Sequence, residues 1–201
     1  MTASAYDAVV LAGGAARRLG GRDKVAEVVG AQTLLDRVLA AVADAASVVV
    51  VGPHRPVVGR VTAWVREQPP GGGPVAAVAA GLAAVTAPAV VVLAGDLAFP
   101  TAAVVRRLLQ RLTGDAVLVV DAEGRDQSLF SAWDTAALRA GLAVLPDITG
   151  AAMRSVLAGL DVRRLEVLPA SGELPPWLDC DTEADLARAR ELARTRWRER
   201  T

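Results

Sequence analysis

The 201-residue chain is predicted to fold as an α/β protein, a Rossmann-like three-layer αβα domain around a mostly parallel central sheet. The first observation is that short β-branched apolar runs alternate with alanine- and leucine-rich segments at helical spacing. The second is that 53% of the residues are hydrophobic and only 3% aromatic, so Ala, Val and Leu must build the core. The third is the length, which suits one sizeable domain over residues 1–201 and is too short for two.

The strands and helices follow from local patterns taken in order. The run at 8–11 is short, β-branched and followed by glycines, as in a strand buried on both faces of a parallel sheet. Further strands are predicted at 47–51, 61–65, 90–94, 116–120 and, at an edge, 162–167. Helices are predicted at 33–45, which carries an apolar face, at 75–85 behind a proline, from near Thr101, at 150–158, and from a Thr182 cap to about Trp197.

Charge and cysteine content exclude several classes of protein. The formal net charge is zero and the pI is near 6.6, so no electrostatic footprint for nucleic acid or a membrane surface is expected. No apolar run approaches the roughly 20 residues needed to span a bilayer, and the N-terminus lacks a signal-peptide pattern. The single cysteine, Cys180, excludes an intramolecular disulfide framework and is compatible with a reducing cytoplasm, the expected location.

A glycine-rich, basic stretch, residues 11–24, directly follows the first predicted strand. Ligands of open α/β sheets bind beyond the carboxyl ends of the strands, where this stretch begins. Gly13 and Gly14 let the backbone approach a ligand and turn N–H groups toward it, while Arg18 and Lys24 add positive charge. The pattern predicts a polyphosphate site, although its glycine spacing matches neither the P-loop nor the dinucleotide fingerprint. A solvated strand-to-helix connection is the alternative.

Two later features lie at comparable positions. Asp96 follows the predicted strand 90–94, where it could bind a ligand or cap the helix that begins near Thr101. Gly73 and Pro74 end a glycine–proline loop and open a helix, whose first N–H groups are available to a ligand or to water.

These strings resemble those of the MobA-type molybdenum cofactor guanylyltransferases. The first is similar to the family signature L-A-G-G-x-x-x-R-[ML]-G-G-x-D-K, the Gly73 string to G-P-[LV]-A-x-[LV]-x-x-G-[LI], and Gly95-Asp96 to [CG]-D-x-P-[FL]. The resemblance implies a nucleotide-diphospho-sugar transferase-like fold. It also implies transfer of GMP from GTP to molybdopterin with release of pyrophosphate, and transient contact with molybdoenzyme maturation proteins.

The resemblance also implies a set of site residues. Arg18, Lys24 and Asp96 are implied to be catalytic, with Arg18 compensating developing charge and Asp96 holding Mg²⁺, which needs only one or two carboxylates. The nucleotide contacts implied are Leu11, Ala12, Gly13, Gly14, Lys24, Pro53, Gln68, Gly73, Pro74 and Asp96.

Several positions depart from the family pattern and keep other functions open. Gln68 stands where the family commonly has an aspartate that is a candidate guanine contact, and Glu67 beside it is a substitute. Asp179 and Asp181 stand at the two asparagine positions of the closing motif, where Asp181 could be structural or face the metal or second substrate. The alternatives are a nucleotidyltransferase that uses CTP, another NTP or another phosphorylated acceptor, and a non-catalytic nucleotide-binding module.

Overall fold

The structure is a computed structural model that describes residues 5–14, 22–167, 169 and 174–198. Its strands are β1 Tyr6–Leu11, β2 Val28–Val29, β3 Gln32–Thr33, β4 Ser47–Val51, β5 Ala63–Val65, β6 Ala89–Ala94, β7 Ala116–Val120, β8 Asp126–Asp134 and β9 Val162–Glu166. Its α-helices are α1 Leu34–Ala41, α2 Gly73–Leu82, α3 Ala102–Arg111, α4 Thr135–Ala143, α5 Met153–Val156 and α6 Glu183–Arg198. A short 3₁₀ helix spans Lys24–Ala26.

Seven of these strands form one sheet in the order β5-β4-β1-β6-β8-β7-β9, and β2 pairs with β3 in a small hairpin. Only β8 runs antiparallel to its neighbours in the large sheet, β6 and β7; the other pairings are parallel. The predicted α/β class and mostly parallel sheet are therefore confirmed, as is the position of β9 at an edge.

Alternation along the buried strands separates two apolar layers. Val10 and its equivalents on one face of the sheet pack with α1 and α3, while Val9 and its equivalents on the other face pack with α2, α4 and α5. Both residues are fully buried, as a central strand covered by helices on both faces requires. The cleft described below lies where β1 and β6 end between these layers.

The C-terminal segment packs back onto the end of β6. A third apolar cluster joins Cys180 and Leu186 with Phe99 and the β2–β3 hairpin. The backbone of this segment forms an antiparallel bridge between Leu97 and Asp179, and Ala98 N–H donates to the Leu178 carbonyl at 2.7 Å. Residues 178–181 are thereby held beside the loop that follows β6.

The structure differs from the sequence predictions mainly around β8 and α4, neither of which was predicted. Strand β8 carries Ser131 at a fully buried position, and its hydroxyl is satisfied by donating to Ser128 O and accepting from Trp133 Nε1. A buried serine with local partners breaks the apolar alternation that reveals strands. The helices predicted at 33–45, 75–85 and 150–158 lie at Leu34–Ala41, Gly73–Leu82 and Met153–Val156, and the strand predicted at 61–65 is Ala63–Val65.

Capping explains where two of these helices begin. Thr33 accepts a hydrogen bond from Asp36 N–H at 3.0 Å, and Thr101 accepts one from Val104 N–H at 3.3 Å. Thr101 therefore caps α3 itself, which leaves Asp96 without that role. None of the described helices is long and apolar enough to cross a membrane.

Candidate active site

A cleft of about 540 Å³ opens at the carboxyl ends of β1 and β6. Its floor is the end of those two strands, one wall is the start of α2, and another is the turn that carries Lys24. Among the described residues, the cleft is lined by Leu11, Ala12, Gly13, Gly14, Asp23, Lys24, Val25, Arg55, Glu67, Gly71, Gly73, Pro74, Ala77, Ala94, Asp96 and Leu129.

The floor of the cleft depends on close approach of backbone segments. Ala12 N–H donates to the Val51 carbonyl at 2.8 Å, which continues the β1–β4 pairing one residue past the strand. Gly14 has a φ of 120°, a value that residues with a side chain rarely adopt. A Cβ on Gly95 would lie 2.9 Å from the Leu11 carbonyl oxygen, so only glycine brings the end of β6 this close to β1.

Lys24 is directed into the cleft by the short 3₁₀ helix in which it lies. Its neighbour Val25 is 4% exposed and anchors this turn in the core. The Lys24 ammonium forms ion pairs with both Asp96 and Asp181. Desolvation alone would lower the pKa of Lys24, but the charge of Asp96 and the hydrogen bond to Asp181 outweigh it and raise the pKa.

Two carboxylates of the C-terminal segment, those of Asp179 and Asp181, lie near the Lys24 ammonium. Partial desolvation, with repulsion from Asp96 and Asp181, raises the pKa of Asp179 to about 6. Asp96 itself is 8% exposed and follows β6, with its carbonyl accepting from Cys180 N–H at 3.2 Å. Three carboxylates are therefore held near one ammonium group.

The arrangement of Asp96 and Asp181 suits one divalent cation whose other ligands come from a bound molecule and from water. Asp96 and Asp181 both contact the Lys24 ammonium, so their oxygens already converge on one positive centre. No group of three or more His, Cys, Asp or Glu side chains within the described ranges is arranged to hold a metal ion. A divalent cation that takes its remaining ligands from phosphates and water needs only one or two carboxylates from the protein.

The structure brings most of the sequence-predicted residues together. Leu11, Ala12, Gly13, Gly14, Lys24, Gly73, Pro74 and Asp96 all line the cleft. Arg18 lies outside the described residues. Pro53 and Gln68 do not line the cleft: Pro53 is half-buried with its carbonyl bonded to Arg55, and Gln68 is exposed.

Glu67 and Arg55 line the cleft in place of those two residues. Glu67 Oε1 accepts a hydrogen bond from Gly71 N–H at 3.0 Å, so one carboxylate oxygen is fixed by the loop before α2. Arg55 lies in the β4–β5 connection, and its side chain is 14% exposed. The only sequence signal for Arg55 is that it follows closely on a predicted parallel strand, while Glu67 was recognised only as the neighbour of Gln68.

Solved structures with the same fold cover nearly the whole chain. Molybdopterin-guanine dinucleotide biosynthesis protein A from Archaeoglobus fulgidus is 20% identical, with 94% of this chain and 99% of that chain covered at a TM-score of 0.72. The 2-C-methyl-D-erythritol 4-phosphate cytidylyltransferase from Thermus thermophilus is 25% identical, with 93% and 98% covered at a TM-score of 0.65. The Rv0371C complex with manganese from Mycobacterium tuberculosis H37Rv is 22% identical, with 94% and 100% covered at a TM-score of 0.67.

The sequence of the chain, and not its fold alone, shows to which family it belongs. A comparison with curated proteins gives no significant match. Residues 8–166, most of the chain, match the sequence model described as the MobA-like NTP transferase domain. The matched range contains the glycine loop, Lys24 and Asp96. The chain therefore belongs to the MobA-like NTP transferase family.

Proposed function

We propose that this protein is a molybdenum cofactor guanylyltransferase, which transfers GMP from GTP to molybdopterin and releases pyrophosphate. The observation that carries the proposal is the convergence of the Gly13–Gly14 backbone, Lys24 and Asp96 on one cleft at the carboxyl ends of β1 and β6. Exposed backbone N–H groups, an ammonium group and a cation-binding carboxylate are the groups that a nucleoside triphosphate requires.

The charges in the cleft support a requirement for a divalent cation. The described lining residues include two cations, Lys24 and Arg55, and three carboxylates, Asp23, Glu67 and Asp96. A triphosphate would meet a net negative lining unless a metal ion accompanied it. A structure of the same fold is a manganese complex, which supports a divalent ion, and Mg²⁺ is proposed for this chain. When bound, Mg²⁺ would be held by Asp96, with Asp181 in reach, and would neutralise phosphate charge.

In the proposed reaction, a terminal phosphate oxygen of molybdopterin forms a bond to the α-phosphorus of GTP. The bond from that phosphorus to the bridging oxygen of the β-phosphate breaks, and pyrophosphate leaves with the electron pair. The Leu11–Gly14 backbone binds the phosphates, and Lys24 donates to their oxygens as negative charge grows on the leaving group. Arg18 is proposed to add to this compensation. The attacking phosphate is already an anion, so the reaction needs no general base.

Glu67 is the residue proposed to select the base. Its carboxylate lines the cleft while Gln68, the position at which the family commonly has an aspartate, is exposed. A carboxylate can accept from both the N1–H and the 2-amino group of guanine, an arrangement that cytosine cannot offer. Glu67 thus supports GTP rather than CTP despite the departure at Gln68.

Leu129 of β8 lines the cleft and is proposed to face its molybdopterin side. Contact with molybdoenzyme maturation proteins is also part of the proposal and rests on the family alone. The second candidate is a cytidylyltransferase, which the likeness to the Thermus thermophilus enzyme favours.

Calorimetric titration of GTP, CTP and ATP in the presence of Mg²⁺, repeated on Asp96→Ala, tests the proposal. We expect selective GTP binding that depends on Asp96. Preference for CTP would keep the transfer chemistry and establish the second candidate. Binding without pyrophosphate release when molybdopterin is added would leave a non-catalytic nucleotide-binding module.

A further inference from the structure

We infer that Arg55 is a positioning residue that ties together the two ends of the glycine-rich phosphate loop. Its guanidinium bonds to Ala12, near the start of the glycine-rich stretch 11–24, and to Asp23, near its end. The proposed function does not assign Arg55 a role, and the inference rests on that function only in taking the loop to bind phosphate.

The hydrogen bonds of Arg55 join three separate parts of the chain. Nη1 donates to the Ala12 carbonyl at 3.0 Å and to the Pro53 carbonyl at 2.9 Å. Nε and Nη2 form a two-point contact with the Asp23 carboxylate, the second at 2.9 Å. Arg55 therefore joins the end of β1, the end of β4 and the residue that precedes Lys24.

The geometry requires arginine rather than any cation. A planar guanidinium can bind a carboxylate with one edge and carbonyl groups with the other, whereas the ammonium of lysine is a point charge with no fixed fork. The Arg55 side chain is 14% exposed and that of Asp23 is 45% exposed. The bonds to the Ala12 and Pro53 carbonyls are therefore partly buried, while the contact with Asp23 is open to solvent. Arg55 fixes Asp23, and Asp23 immediately precedes the turn that directs Lys24 toward Asp96.

A direct contact between Arg55 and the nucleotide is the competing explanation, since Arg55 lines the cleft. The two explanations differ in what they predict for Asp23→Asn. If Arg55 positions the loop, removing the Asp23 charge breaks the same tie and weakens nucleotide binding. If Arg55 binds phosphate directly, the same substitution releases the guanidinium and strengthens binding.

Calorimetry with Mg²⁺ and GTP on Arg55→Met, Asp23→Asn and the double variant tests the inference. We expect each single variant to weaken GTP binding about tenfold, and the double variant to bind no more weakly than either, because all three lose the same Arg55–Asp23 contact. Arg55→Lys should not restore binding. Arg60→Met is the matched control, because Arg60 lies in the same connection and donates to the carbonyls of Ala45 and Ala46 at the opposite end of β4.

Tryptic cleavage after Lys24, in the turn that follows Asp23, provides a readout that needs no nucleotide. We expect cleavage at this bond to be several-fold faster in Arg55→Met and Asp23→Asn than in the wild type, and unchanged in Arg60→Met. Asp23→Asn that binds GTP as tightly as the wild type, or tighter, overturns the inference. If the wild type binds no nucleoside triphosphate, the proposed function fails, and unchanged cleavage rates would then refute the role of Arg55 separately.

Discussion

Replacing Asp181 with asparagine should have opposite effects on GTP affinity without and with a divalent cation. Without one, Lys24 is held by Asp96 and Asp181 and must leave them to reach a phosphate. The Asp181 side chain is 48% exposed, so its ion pair with Lys24 contributes only a modest free energy. Asp181→Asn releases that hold and removes one repelling charge, which should raise metal-free GTP affinity roughly threefold to tenfold.

With Mg²⁺ present, the same substitution removes a carboxylate within reach of the cation and should weaken GTP binding several-fold. The assay is calorimetric titration of GTP in EDTA and again in excess Mg²⁺. Asp161→Asn is the control, since Asp161 is an exposed carboxylate at the opposite end of the sheet, beside the start of β9. Asp181→Asn that weakens binding equally in both conditions, or changes neither, would refute the reasoning.

Three other substitutions probe separate groups in and beside the cleft. Lys24→Ala should lower the rate of pyrophosphate release about a hundredfold or more with an unchanged circular dichroism spectrum, because the charge it compensates grows only during the reaction; near-normal rates would contradict its role. Wild type should bind GTP about tenfold more tightly than ITP, which lacks the 2-amino group, and Glu67→Gln should lose most of that preference; an unchanged ratio would remove Glu67 from base selection. Because its native pKa of about 6 lies above the reference value of 3.8, Asp179 binds a proton more strongly in the native state, so its contribution to stability declines between pH 4 and pH 6. In metal-free unfolding experiments, the free energy of unfolding of Asp179→Asn should rise relative to that of the wild type by roughly 1 kcal/mol as the pH increases from 4 to 6, after allowance for solvent screening. A difference that does not change with pH would contradict the raised pKa.

The parallel part of the sheet was predictable because its strands report burial directly. Val9 and Val10 face opposite apolar layers, so the whole run must be hydrophobic, and such runs are easily recognised. Strand β8 was not predictable in this way, because Ser131 is buried with its hydrogen bonds satisfied locally. The sequence pattern shows which residues are polar, whereas a polar residue can be buried wherever it finds hydrogen-bond partners.

The same distinction separates the parts of the cleft that were predicted from those that were not. Gly14, Lys24 and Asp96 belong to short strings whose chemistry can be recognised one string at a time. Arg55 acquires its contacts only when β1 and β4 pair, and its partner Asp23 is 32 positions away along the chain. Glu67 and Gln68 are neighbours with similar side chains, and only the path of the backbone decides which one faces the cleft.

The contact between the C-terminal segment and the phosphate-loop turn also links ligand binding to the stability of the last helix. Arg22 pairs with Glu183, Lys24 with Asp181, and Glu27 with Arg190, so three ion pairs between described residues join the turn to the segment. By thermodynamic reciprocity, a ligand that draws Lys24 away from Asp181 loosens the segment by the same free energy that the segment subtracts from the affinity of the ligand. Hydrogen exchange of the backbone amides at the start of α6 should therefore become faster when such a ligand occupies the cleft, although α6 is not among the described residues that line it.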